Sequence, residues 1–132
     1  AMDVGDPSNF IRILKLYNYD FQKLKKELTA YSFSDKETIS GMKELYYKSK
    51  YLLDPHGATA YLGLKKYLIN NPNKIGVFLE TAHPIKFLET VENAIDEKIT
   101  IPGKILNLRK KKKEKTCIKN YKELKSFLLS NN

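Results

Sequence analysis

The stretch IGVFLETAHPIKF at 75–87 sets a hydroxyl, an imidazole and an amine, those of Thr81, His83 and Lys86, directly after an apolar, β-branched run. Such a run reads as a buried strand of a parallel sheet, and open α/β sheets bind ligands at the carboxyl ends of their strands. Two further segments place small and polar residues just ahead of a predicted helix: DVGDPSNF at 3–10 and DPHGATAYLGL at 54–64. In each, a polar side chain stands beside unpaired backbone amides and the positive end of a helix dipole. The ligand these positions suit is an anion, a phosphate or a carboxylate. Gly57, Ala58 and Ala60 would let a flat ligand approach the helix end closely. Taken singly, each segment also looks like an ordinary helix cap.

Other chemistries fall away on spacing. His56 and His83 lie far apart with no cysteine, histidine or carboxylate at ligand spacing, so no metal site is expected. There is no G-x-S-x-G nucleophile elbow, no G-x-G-x-x-G and no P-loop. Cys117 is the lone cysteine, fits a reducing cytoplasm, and has no base nearby that would activate it.

The elements that must position these groups alternate between helix and short strand. Ser8 can cap a helix over 9–17, and Asp20 another carrying Phe21, Leu24, Leu28 and Tyr31. Ser34-Asp35-Lys36-Glu37 is a capping box that opens a helix to about Ser49, with Ile39, Met42, Leu45 and Tyr46 inward and Gly41 a mild weak point. A short extended run, 51–53, stops at Asp54-Pro55, and a helix begins at Ala58 and ends in the turn residues of 70–73. The strand 75–81 follows, then a helix with Pro84 near its first turn and Phe87, Leu88, Val91 and Ile95 inward. A short helix over 104–111, a strand over 116–119 and a last helix capped by Asn120, with Glu123 at the capping-box position, complete the chain. This alternation predicts an α/β fold with strands too few for a full sheet, hence a piece of a larger protein. The opening Ala1-Met2-Asp3 reads as a tag remnant or as a cut from something longer.

With 132 residues, one domain is expected, and 42% hydrophobic and 30% charged residues are ordinary for a soluble protein. No run of the roughly 20 apolar residues a membrane span needs is present, and no signal peptide. The net charge of +9 raises nucleic acid as a partner, through the cluster at 109–115: Arg109, four lysines, Glu114 and Lys115. Arg12 is the only other arginine, and the cluster has no interleaved aromatics, so a solvated lysine face is the plainer interpretation. A small basic nucleic-acid-binding module stays as the alternative.

DVGDPSNF, LLDPHGATAYLGLKKYL and GVFLETAHPIKFLETVE, in this order, closely resemble the carboxyl-terminal part of threonine synthase, and the resemblance continues through YKELKSFLL. It implies an α/β, helix-rich fragment of a fold type II pyridoxal-phosphate enzyme, with few short strands from a larger sheet. The whole of 1–132 would be one carboxyl-terminal segment, with the amino-terminal catalytic part of the same enzyme as its partner. The activity implied is the pyridoxal 5'-phosphate-dependent conversion of O-phospho-L-homoserine and water to L-threonine and phosphate, in the cytoplasm, with no nucleic acid or membrane involved.

Residue by residue, Thr81 matches the family threonine whose hydroxyl bonds the pyridine nitrogen of the cofactor; otherwise it would be an ordinary β-branched strand residue. Ser8 and Asn9 match an active-site loop that shapes the substrate pocket, Asp54 and His56 would orient a helix end there, and His83 is placed with them. The lysine that holds the cofactor and the glycine-rich loop that cradles its phosphate lie upstream in the family, so no catalytic residue is expected in this chain. Lys86, in the first turn of a helix, is expected to face solvent.

Overall fold

Ser34 opens one of the two 15-residue helices of the chain with both bonds of a capping box. Its Oγ accepts from the Glu37 amide, and Glu37 Oε2 accepts from the Ser34 amide at 2.7 Å. The computed structural model describes residues 4–130; the opening Ala1-Met2-Asp3 lies outside the described residues. The chain divides into two compact units, Ala1–Ile99 and Thr100–Asn132.

The first unit contains α1 (Phe10–Leu16), α2 (Phe21–Glu27), α3 (Asp35–Ser49), α4 (Pro55–Ile69), a short 3₁₀ turn (Pro84–Phe87) and α5 (Leu88–Ile95). Asp20 caps α2 by accepting from the amides of Gln22 and Lys23. Ahead of α1, Asn9 rather than Ser8 holds the cap position, with no side-chain cap bond.

α3 packs on α4 and α5 around Met42, Leu53, Ala58, Val91 and Ala94, with Phe78, Phe87 and Tyr61 against this core. The buried face of α3 is Thr38, Gly41 and Met42, while Ile39 is 42% exposed. Met42 and Leu45 face the core as expected and Tyr46 is half-buried; Ile39 alone departs, its place on the inward face taken by Thr38 and Gly41. The reason is Gly41, where an added Cβ would stand 3.0 Å from Leu62 Cγ, so the glycine is the point of close approach between α3 and α4 rather than a weak spot. The Tyr47 hydroxyl donates to the Ile95 carbonyl at 2.9 Å, and the Tyr46 hydroxyl donates to Glu97 at 2.6 Å.

Two expectations need correction. Neither 75–81 nor 116–119 is a strand, and among the described residues there is no strand at all. A strand exists by its ladder to a neighbour, and no second segment here supplies one. The period of two survives at 75–80, where Gly76, Phe78 and Glu80 are half-buried against α4 while Ile75, Val77 and Leu79 are 98%, 82% and 72% exposed. Helix α4 also starts earlier than expected, at Pro55, with Asp54 as its cap and proline in the first turn.

The second unit holds α6 (Gly103–Arg109) and α7 (Tyr121–Ser130). Asn120 Oδ1 accepts from the Glu123 amide at 3.0 Å and so caps α7, while Glu123 reaches past the cap: its Oε2 accepts from the Lys119 amide at 2.8 Å and its Oε1 from Asn120 Nδ2, so the box is only half formed. Cys117 is exposed, as are the lysines of the 109–115 cluster; the side chain of Arg109 lies outside the described residues.

Candidate functional site

Asp54 is fully buried, and a buried carboxylate must be matched by donors. Its Oδ1 accepts from the Gly57 amide at 2.8 Å, which caps α4, and its Oδ2 lies 2.7 Å from His56 Nδ1. Its own amide donates to Glu80 Oε1 at 2.9 Å, tying the start of α4 to the 75–81 segment. Burial alone would push the Asp54 carboxyl up, but the bonds from Gly57 and His56, and the one it shares with Glu80, hold it below the ordinary aspartate value. Glu80 moves the other way. Burial first, and then the Asp54 carboxylate beside it, raise its carboxyl above the ordinary glutamate value.

His56 joins this network to open space. Its ring lies 5.1 Å from that of Phe87, and it lines two cavities, of about 600 and 650 Å³. The smaller is walled by Asp35, Thr38, Met42 and Thr90. Its larger neighbour holds Thr81, with Ala60, Gly63, Tyr67 and Leu79. Thr59, Tyr31 and Phe33 border both, so the two spaces form a mixed polar and aromatic surface over the first turns of α4. Thr81 is exposed there, and its hydroxyl has no protein partner among the described residues.

Of the residues singled out in sequence, Thr81, His56 and, behind it, Asp54 are brought together. His83 is exposed and spends Nδ1 on the Ile85 amide, at 3.2 Å, as the cap of the 3₁₀ turn. Lys86 is exposed in the same turn. Ser8 and Asn9 are exposed ahead of α1 and line neither cavity. Two residues were passed over: Thr59, and Glu80, whose signal was a carboxylate placed in an otherwise apolar run. Among the described residues no cluster of histidine, cysteine and carboxylates could hold a metal ion, and no helix is long and apolar enough to cross a membrane.

This arrangement has known relatives. Residues 58–128 match the family model for threonine synthase, C-terminal. The chain is 42% identical over 107 residues to threonine synthase of Buchnera aphidicola from Acyrthosiphon pisum, covering 81% of this chain and 24% of the relative. Threonine synthase of Serratia marcescens is 37% identical over 131 residues, covering 98% of this chain and 29% of its own. The crystal structure of threonine synthase from Escherichia coli superposes with a TM-score of 0.77 at 31% identity, over 100% of this chain and 30% of that one. The chain thus spans between about a quarter and three tenths of the length of these proteins, and the match favours the threonine synthase resemblance over the basic module. By the family model and by these relatives, the chain belongs to the threonine synthase family, in its carboxyl-terminal part.

Proposed function

We propose that 1–132 is a single carboxyl-terminal segment of a cytoplasmic threonine synthase, converting O-phospho-L-homoserine and water to L-threonine and phosphate, and that it forms one wall of the active site. The observation that carries this is the Thr81 hydroxyl, exposed and unpartnered at a cavity it shares with His56 and Thr59. Pyridoxal 5'-phosphate, when bound, supplies the electron sink for the reaction. The residues present fit its ring: Thr81 offers a neutral donor for a pyridine nitrogen, and Tyr31, Phe33 and Tyr67 offer a surface for a flat heterocycle.

A hydroxyl differs from a carboxylate at that position because it does not enforce a protonated ring. His56, held through Nδ1 by buried Asp54, lines the same space. Ser8, Asn9 and His83, which line neither cavity, are assigned to the substrate pocket on the resemblance alone. The lysine that holds the cofactor and the loop that holds its phosphate belong to the amino-terminal part of the enzyme.

The test is made in the full-length enzyme carrying this segment. Thr81→Ala should alter the cofactor's absorbance and lower turnover; unchanged spectrum and activity would remove Thr81 from the site. In the 132-residue chain, pyridoxal phosphate with borohydride should leave Lys86 without specific labelling, and specific modification there would overturn the assignment.

A further inference from the structure

Glu80 Oε2 is buried and has no donor facing it. The oxygen is pressed onto the first turn of α4, where a Cβ on Gly57 would overlap it. Its other oxygen accepts from the Asp54 amide at 2.9 Å, which sets the two carboxyls beside each other. Two ionised carboxylates in this contact would repel, and one buried oxygen would stay unpaired. A single proton resolves both problems. It belongs on Glu80, because Asp54 already receives the Gly57 amide and His56, which favour its ionised form, whereas Glu80 receives one amide.

We propose that Glu80 is a positioning residue: it carries a proton on Oε2 and donates it to the Asp54 carboxylate, clamping the chain just ahead of Thr81 onto the amino end of α4. The titratable groups facing Glu80 are Asp54 and His56, both from the start of α4. Burial and the Asp54 charge both favour the neutral form of Glu80, in agreement with this placement. The shared proton makes a continuous chain, Glu80 to Asp54 to His56, running from the core to the cavity that holds Thr81. Loss of that proton would place a second negative charge beside Asp54 and loosen the clamp. Thr81 would then leave its place beside His56. The consequence for a cofactor rests on the proposed function; the proton does not.

The test uses the 132-residue chain labelled with ¹³C at its glutamate carboxyls, followed by NMR through a pH titration, with the Glu80 signal identified by its loss in Glu80→Gln. Glu80 should titrate above every other glutamate. Glu80→Gln keeps an acceptor for the Asp54 amide and a donor for its carboxylate, so at a pH below the Glu80 titration it should keep the parent's melting temperature and the ring contact of Phe78 with Tyr61. Glu80→Ala should lose both. Titration of Glu80 together with the other glutamates, or failure of the glutamine variant alongside the alanine one, overturns the proposal. Neither measurement involves cofactor, so a negative result with Thr81→Ala leaves it standing.

Discussion

Gly57 lies directly beneath Glu80, so that any Cβ at position 57 would overlap Glu80 Oε2. The glycine is helical with no unusual φ. Its smallness therefore serves the neighbouring carboxyl rather than the backbone. Gly57→Ala would ordinarily stabilise a helix by about 1 kcal/mol. Here it must displace the Glu80 carboxyl and strip the Asp54 amide of its acceptor, a loss of about 1–3 kcal/mol. Denaturant unfolding should show net destabilisation. Once Glu80→Ala has emptied the space, adding Gly57→Ala should cost nothing further, a non-additivity expected of residues in contact.

The Asp54 and Glu80 shifts have opposite signs, so stability should fall on both sides of a maximum. Asp54 is lowered in the folded state, so its contribution is present above the ordinary aspartate value and is lost as pH falls through the lowered one. Glu80 is raised, so its contribution is fully present below the ordinary glutamate value and is lost as pH rises through the raised one. Melting temperature against pH should therefore show an acid limb that persists in Glu80→Gln and an upper limb that the same substitution removes.

The capping box at Ser34 gives a prediction on local structure alone. Ser34→Ala removes the acceptor for the Glu37 amide and frees the Glu37 side chain, whose carboxyl is held low by its bonds from Ser34. The loss should be about 0.5–2 kcal/mol, read by denaturant unfolding. Because α3 packs on both α4 and α5, the whole first unit should melt earlier, not one helix end.

The devices legible in the sequence are those closed within a few residues. The Ser34–Glu37 box and the Asp20 and Asn120 caps each span three residues or fewer, and all are present. Asp54 could have been read the same way, since aspartate before proline is also a cap with proline in the first turn. The order Asp-Pro pointed instead to a break in the chain. Glu80 was hidden because its partner Asp54 is 26 residues away in sequence. No local pattern encodes that meeting. The role of Gly41, expected as a weak point, depended on its meeting Leu62, again a contact between elements. The strand expected at 75–81 failed for a related reason: its apolar alternation is real, but a ladder needs a second segment, and none is among the described residues. Thr81 was legible through motif resemblance, and its place beside His56 required the fold.

The Thr81 hydroxyl makes no bond within the protein among the described residues, and this separates its role in the site from any role in folding. Thr81→Val keeps the branched shape and removes only the donor. On the exposed rim of a cavity such a change should leave unfolding free energy within about 0.5 kcal/mol of the parent. In the full-length enzyme the same substitution should change the cofactor's absorbance and lower kcat, whereas Thr81→Ser, which keeps the hydroxyl, should restore most of both. If Thr81→Val instead lowers stability by as much as a buried hydrogen bond is worth, about 1 kcal/mol, the hydroxyl has an internal partner. Its assignment to the cofactor ring then fails. Normal stability with normal spectrum and turnover would remove the residue from the site altogether.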